Sequence, residues 1–232
     1  APDLLADTHT YSLVSGTGST DNGSFAIVGT GLKTNTALNF ETKPSYSVRV
    51  RTTDTYGGTF EEAFTISVTN VNETPTSLSI NTSSVNENAA SGTPVGTFSS
   101  VDPDANTTVT YTLVAGIGST NNASFTVVSG VLQTAALFNY EAKNAYNIRM
   151  SVTDGAIAFE NIFTVRVNNI NDAPVAIDDV VDPAVQVASG TITLTVLTND
   201  TDQDISDVLR VSSVGSPNSG TAITATNSIS YT

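Results

Sequence analysis

The chain has 232 residues, 22 acidic against 8 basic side chains and a formal net charge of −14. Phosphate recognition needs clustered Lys and Arg, so this balance excludes a nucleic-acid surface and disfavours an anionic membrane. With no Cys there is no disulfide scaffold, and no apolar run approaches the roughly 18 residues that span a bilayer.

Strand signals begin at Tyr11-Ser-Leu-Val and continue through Phe25, each followed by turn clusters such as Gly16-Thr-Gly-Ser-Thr-Asp-Asn-Gly23. Tyr46, Val48 and Val50 alternate with Ser47, Arg49 and Arg51, the period of a strand buried on one face. Phe64, Ile66 and Val68 repeat that alternation. Next come Leu78-Ser-Ile80, Val95-Gly-Thr-Phe98 and Val109-Thr-Tyr-Thr-Leu113, and then the whole early pattern returns. Tyr11 to Asp54 aligns without a gap on Tyr111 to Asp154, with nearly half the positions identical, which marks a tandem repeat. After a one-residue deletion, Asn70-Val-Asn72-Glu73-Thr-Pro75 matches Asn169-Ile-Asn171-Asp172-Ala-Pro174. No window carries an apolar stripe at helical spacing. Short strands with frequent turns predict all-β, tandem Greek-key β-sandwiches of about seven strands each.

The punctuation divides the chain into residues 1–75, 76–174 and 175–232. The first part has no counterpart of the stretch from Thr76 to about Ser100, so its opening strands are expected to be missing. The second part looks complete. The third carries Ile192-Thr-Leu-Thr-Val-Leu197 and Asn199-Asp-Thr-Asp-Gln-Asp204, and is expected to stop before its sandwich closes. Without an initiator Met, the sequence reads as an excised piece of something longer.

Carboxylates recur at fixed places: Glu87, Asp102-Pro-Asp104, Glu141 and Asp154 in the second part, with Asn at the linker. Gathering acids costs repulsion unless a hard cation joins them, and Ca²⁺ accepts six to eight oxygens at ~2.3–2.6 Å. The second part resembles a cadherin repeat, in the divergent form of large bacterial surface proteins. Asn86-Glu87-Asn, Asp102-Pro-Asp104, Asn139-Tyr-Glu141, Val152-Thr-Asp154 and the Asn169–Pro174 linker carry that resemblance. It implies Ca²⁺ ions at the junctions between repeats. The first junction would use Glu41, Asn70, Asn72 and Glu73 with Asp102, Asp104 and Asp154. The second would use Glu87, Glu141, Asn169, Asn171 and Asp172 with Asp200 and Asp202. The third part resembles cadherin-like or Ig-like adhesin repeats through Leu197–Asp204 and Leu209-Arg-Val. Asn39 and Asn139 replace the Asp before x-Glu, and Glu73 replaces the linker Asp, so weaker binding is expected, above all at the first junction.

The remaining candidates read as structure. His9 is alone, which excludes a zinc site. Lys43 and Lys143, two residues from Glu41 and Glu141, are surface ion-pair partners before they are isopeptide donors. Tyr46, Tyr146, Phe25 and Phe125 are core residues before they are a sugar platform. There is no nucleophile–base pair and no phosphate loop at a helix, so the chain reads as no enzyme. The resulting expectation is an extracellular or cell-surface adhesive segment rigidified by Ca²⁺, meeting other surface proteins. The alternative is a Ca²⁺-dependent polysaccharide-binding accessory module, which an exposed aromatic row on one sheet would favour.

Overall fold

The computed structural model describes residues 8–105, 107–180 and 190–232, and among them every regular element but two short 3-10 turns is a strand. Repeat one carries β1 (Thr10–Leu13), β2 (Phe25–Val28), β3 (Gly31–Thr34), β4 (Ser45–Thr53) and β5 (Thr59–Ser67). Repeat two carries β6 (Ser77–Ile80), β7 (Ser84–Asn86), β8 (Pro94–Val101), β9 (Thr110–Leu113), β10 (Phe125–Val128), β11 (Val131–Thr134), β12 (Ala145–Thr153) and β13 (Ala158–Asn168). The third part adds β14 (Ile192–Leu194), β15 (Ala222–Ala225) and β16 (Ser228–Tyr231), paired in the order β14-β16-β15.

Repeat two is a sandwich of two four-stranded sheets, β10-β11-β8-β6 and β7-β13-β12-β9. Alternation along β12 sends Ile148, Met150 and Val152 into the core, and β13 adds Val165 and Val167, all buried. One end of that core is aromatic: Phe138 stacks on Phe125 at 5.3 Å and meets the Tyr146 ring edge-on at 4.7 Å. Phe98 from β8 lies 5.7 Å from Phe163 of β13. Beside β13, β7 runs parallel with Val85 opposite Val167.

Repeat one has the sheet β1-β4-β5 and the hairpin β2-β3, and among the described residues no strand stands in the places of β6, β7 and β8. Among its described apolar side chains only Phe25 and Val48 reach full burial before the Pro75 linker. Phe60 and Phe64 on β5 are 66% and 45% exposed. The equivalent of Phe64 in repeat two is Phe163, which packs on Phe98, so this exposed row is an uncovered core face. It does not supply the sugar-binding aromatic row that the polysaccharide alternative called for.

The chain gathers into two compact units, one of Ala1–Ser79, Ser99–Thr112 and Ser151–Asn161, the other of Ile80–Phe98, Leu113–Met150 and Ile162–Thr232. The first unit thus holds all of repeat one together with the loops that carry Asp102, Asp104 and Asp154. Turns set the register. Gly118, with φ at +87, sits where a Cβ would come within 2.6 Å of Ile162 Cδ1, so only glycine suits that corner.

Candidate metal centre

Two acidic clusters form, one in each compact unit. In the first, Glu41, Glu73 and Asp104 place carboxylate oxygens within 4.8 Å of one another. Glu41 follows the turn opened by Asn39, whose Oδ1 accepts the Thr42 N–H at 2.7 Å. The linker after β5 brings Glu73, and its backbone N–H donates to Asp104 Oδ2 at 2.8 Å. Asn70 Nδ2 donates to Asp104 Oδ1 at 2.9 Å, and Asn72 Nδ2 to Asp154 Oδ2 at 2.7 Å. Asp102 hooks back to accept the Asp104 N–H at 2.9 Å. Six of the seven residues expected at the first junction are therefore tied by hydrogen bonds into one network, with Asn72 Nδ2 also reaching the Glu73 carbonyl at 3.3 Å, and the Glu41 carboxylate lies against it.

In the second cluster, Glu87, Glu141 and Asp172 gather within the same 4.8 Å. Glu87 is only 3% exposed, and both its oxygens are engaged by backbone donors, Tyr140 N–H at 2.7 Å and Ile170 N–H at 2.8 Å. Asn169 Nδ2 donates to Glu141 Oε1 at 3.2 Å, and Asn171 Nδ2 to the Asp172 carbonyl at 2.7 Å. Asp172 N–H donates to Asp204 Oδ2 at 2.6 Å, the twin of the Glu73–Asp104 bond. Asp204 N–H in turn donates to Asp202 Oδ1 at 3.0 Å, matching Asp104 and Asp102.

That equivalence lies two residues further along the chain than the expected Asp200 and Asp202 pair. The acidic pair is Asp202 and Asp204, whereas Asp200 accepts the Ile177 N–H at 2.8 Å and takes no part in the cluster's hydrogen bonds. Asp204, buried, was not among the expected ligands. The signal was present: Asp102 and Asp104 shifted by the 100-residue repeat give 202 and 204. Asn88 was also missed. Its backbone adopts φ of +58, and its Nδ2 donates to Asp172 Oδ1 at 2.8 Å. Left-handed Asn is tolerated where a local side-chain bond offsets the strain, a bond that sequence alone does not display.

Electrostatics divide the carboxylates into two kinds. Burial, reinforced by the Glu41 and Asp104 carboxylates, pushes the Glu73 carboxyl above its ordinary value. Burial likewise raises Glu141, despite a backbone hydrogen bond, with Glu87, Asp204 and Asp172 adding repulsion. By contrast the Glu73 N–H and the Asn70 amide hold Asp104 low, and the Ile157 and Ala156 N–H groups with the Asn72 amide do the same for Asp154. The first cluster therefore joins carboxylates held as anions, Asp104 and Asp154, to Glu73, which resists ionisation, and in the second Glu141 is the carboxyl that resists it.

Both oxygens of Glu41, one each of Glu73 and Asp102, and one each of Glu141 and Asp172 are buried with no hydrogen-bond partner. A buried anionic oxygen without a donor is costly. Two oxygens that share one Ca²⁺ at about 2.3–2.6 Å lie no more than about 5 Å apart, and the carboxylate oxygens of each cluster lie within 4.8 Å of one another. The donor set is all oxygen, with no His or Cys in either cluster, so a hard cation fits and zinc does not. Of the two lysines expected as ion-pair partners, only Lys43 has an ion pair among the described residues. Lys43 pairs with Asp21 and sits 4.8 Å over the Tyr46 ring, and Lys143 sits 4.6 Å over the Tyr146 ring.

Residues 81–168 match the family model for the cadherin domain, and residues 171–232 match that for a bacterial Ig domain. Rat protocadherin Fat 2 is 30% identical over 169 residues, 68% of this chain and 4% of its own length. Mouse protocadherin Fat 4 is 27% identical over 147 residues, 61% of this chain and 3% of its own. The chain therefore spans only a few per cent of the curated relatives it matches. Among solved structures, the first two extracellular repeats of human protocadherin-24 superpose with a TM-score of 0.55 at 19% identity, over 70% of this chain and 82% of that one. The extracellular domain of protocadherin gamma B4 gives 0.54 at 18% identity, over 96% and 39%. At such identities these structures speak for the fold.

Proposed function

With its central residues belonging to the cadherin-domain family and a bacterial Ig-type segment following them, we propose that this extracellular, adhesion-type chain is a segment of a long bacterial surface or secreted protein, rigidified by Ca²⁺ where one repeat passes into the next. The division into repeats at 75 and 174 is part of that reading. The observation that carries it is the set of buried carboxylate oxygens without donors, gathered in both acidic clusters.

Glu41, Glu73, Asp102, Asp104 and Asp154 would hold the ion in the first cluster, and Glu87, Glu141, Asp172, Asp202 and Asp204 in the second. A bound Ca²⁺ supplies the positive charge that these carboxylates lack. The chain's own residues do the rest. Asn70 and Asn72 aim Asp104 and Asp154 and so tie the 69–75 linker to those loops. Glu87 bridges two backbone N–H groups and anchors the Asn139–Glu141 turn against the start of the next linker. Metal affinity then couples directly to stability, by about 2.7 kcal/mol when free ion stands at a hundred times Kd.

The test is thermal unfolding and small-angle scattering across a Ca²⁺ titration from EGTA. A higher melting temperature with a stiffer particle is expected, and Asp104→Ala with Asp154→Ala should abolish the stiffening that depends on the first cluster. No response of the parent chain to Ca²⁺ would sink the reading. Adhesion to other surface proteins is the role this assembly serves.

A further inference from the structure

Asn139 and Gln203 set the second acidic cluster apart from the first in a way that no carboxylate accounts for. The Asn139 turn repeats the Asn39 turn. Its Oδ1 accepts the Ala142 N–H at 2.7 Å, as Asn39 Oδ1 accepts the Thr42 N–H, and its carbonyl accepts the Lys143 N–H at 3.0 Å. With Oδ1 engaged inside the turn, the amide NH₂ is the end left to bond beyond it, and it donates to Gln203 Oε1. Gln203 is held in place too. It occupies the tip of a turn closed by the Asp204 N–H on Asp202 Oδ1 at 3.0 Å, and Asp204 takes the Asp172 N–H at 2.6 Å. The matching turn of the first cluster, Asp102-Pro103-Asp104, closes the same way at 2.9 Å. Pro103, however, has no side-chain acceptor to offer the Asn39 amide.

We propose that Asn139 and Gln203 form a metal-independent clasp at the second junction. It ties the turn that carries Glu141 to the loop that carries Asp202 and Asp204, past the 169–174 linker, before any ion is bound. An Asp at position 139 would add a charged ligand but could not donate to Gln203. Asn exchanges that ligand for a bond that depends neither on a cation nor on protonation. Each partner is already positioned by its own turn, so closing the bond costs less freedom than pairing two loose surface side chains. Two consequences follow from the clasp. Repeat two keeps its hold on the third part in the absence of metal. The second cluster is also partly assembled before an ion arrives, which raises its apparent affinity, because the fraction of chains ready to bind divides into the intrinsic Kd. Only this second consequence rests on the reading of the cluster as a Ca²⁺ site.

The experiment uses the whole chain. With no native Cys, cysteines introduced at the exposed Thr126 of β10 and Thr224 of β15 take spin labels selectively. The width of the label–label distance distribution in EGTA, from pulsed dipolar spectroscopy, reads how firmly repeat two holds the third part. Gln203→Ala removes the acceptor from an exposed side chain. Asn139→Ser loses the reach but keeps a hydroxyl for the Ala142 N–H. Each is expected to broaden the distribution in EGTA, with the ratio of held to open forms falling about fivefold. Together they should broaden it no further than either alone, since both remove one bond. Saturating Ca²⁺ should restore the narrow distribution, and calorimetric Ca²⁺ affinity at the second cluster should fall by no more than the same factor. An unchanged width for Gln203→Ala in EGTA, or effects of the two substitutions that add, overturns the clasp. Broadening in EGTA in a chain that gives no response to Ca²⁺ upholds the clasp and sinks only the metal reading.

Discussion

Replacing Glu87 with Gln separates a structural carboxylate from a metal-holding one. Glu87 is nearly fully buried and accepts two backbone N–H groups, from Tyr140 at 2.7 Å and Ile170 at 2.8 Å. Gln keeps one acceptor and turns an NH₂ toward the other donor, so one charge-assisted bond is lost at a cost of about 1.5–3 kcal/mol. Without divalent cation that cost is partly offset, because removing a charge relieves repulsion from Glu141 and Asp172 within 4.8 Å. With Ca²⁺ present the offset disappears, and one ligand is gone. If Kd rises tenfold, the stabilisation at a fixed ion concentration of a hundred times the parent Kd falls from about 2.7 to about 1.4 kcal/mol. Native-state hydrogen exchange at Val165 and Val167, deep in β13, reads the repeat-two stability in each condition. The expected outcome is a small loss in EGTA and a loss larger by about 1.3 kcal/mol in Ca²⁺. An equal loss in both conditions would refute the reasoning and leave Glu87 a purely structural bridge.

Asp204→Asn should lower Ca²⁺ affinity at the second cluster, while Asp200→Asn, whose carboxylate serves the Ile177 N–H, should leave the calorimetric titration unchanged. Phe138→Ala removes a ring that is 1% exposed between Phe125 and Tyr146 and should cost about 3–5 kcal/mol in denaturant unfolding of repeat two. Metal-free stability should also depend on pH with a defined sign. Glu73 and Glu141 are raised above their ordinary 4.5, so the stability they contribute is full below that value and is lost as pH rises through the raised folded pKa. Asp104 and Asp154 are lowered from 3.8, so theirs is present above that value and is lost as pH falls through the lowered one. Calorimetric melting of metal-free chain should therefore weaken on both sides of the mildly acidic range, and Ca²⁺ should remove the decline on the neutral side.

Legibility in the sequence followed the physics of each feature. Alternation of apolar residues states which face of a strand is buried, so Ile148, Met150 and Val152 could be assigned to the core from Tyr146 onward. The repeat paired Phe64 with Phe163, but only the structure shows Phe64 exposed while its twin packs on Phe98. Carboxylates placed at strand ends in both copies pointed to Glu41, Glu73 and Asp104, which gather in the first cluster.

Side-chain partnership was not legible, because it depends on which strand ends fold together. Asp200-Thr-Asp202 and Asp202-Gln-Asp204 offer the same spacing in one dimension. Only the fold selects between them, by bringing the Asp172 N–H to Asp204 and the Ile177 N–H to Asp200. Asn88 needed a left-handed backbone to reach Asp172, and the raised carboxyls of Glu73 and Glu141 needed burial. The sequence determined the strands, the repeat and the residue types that meet a hard cation, since these rest on local pattern. Tertiary structure alone decided which oxygens converge and which are left without a donor, since both depend on contacts between residues far apart in the chain.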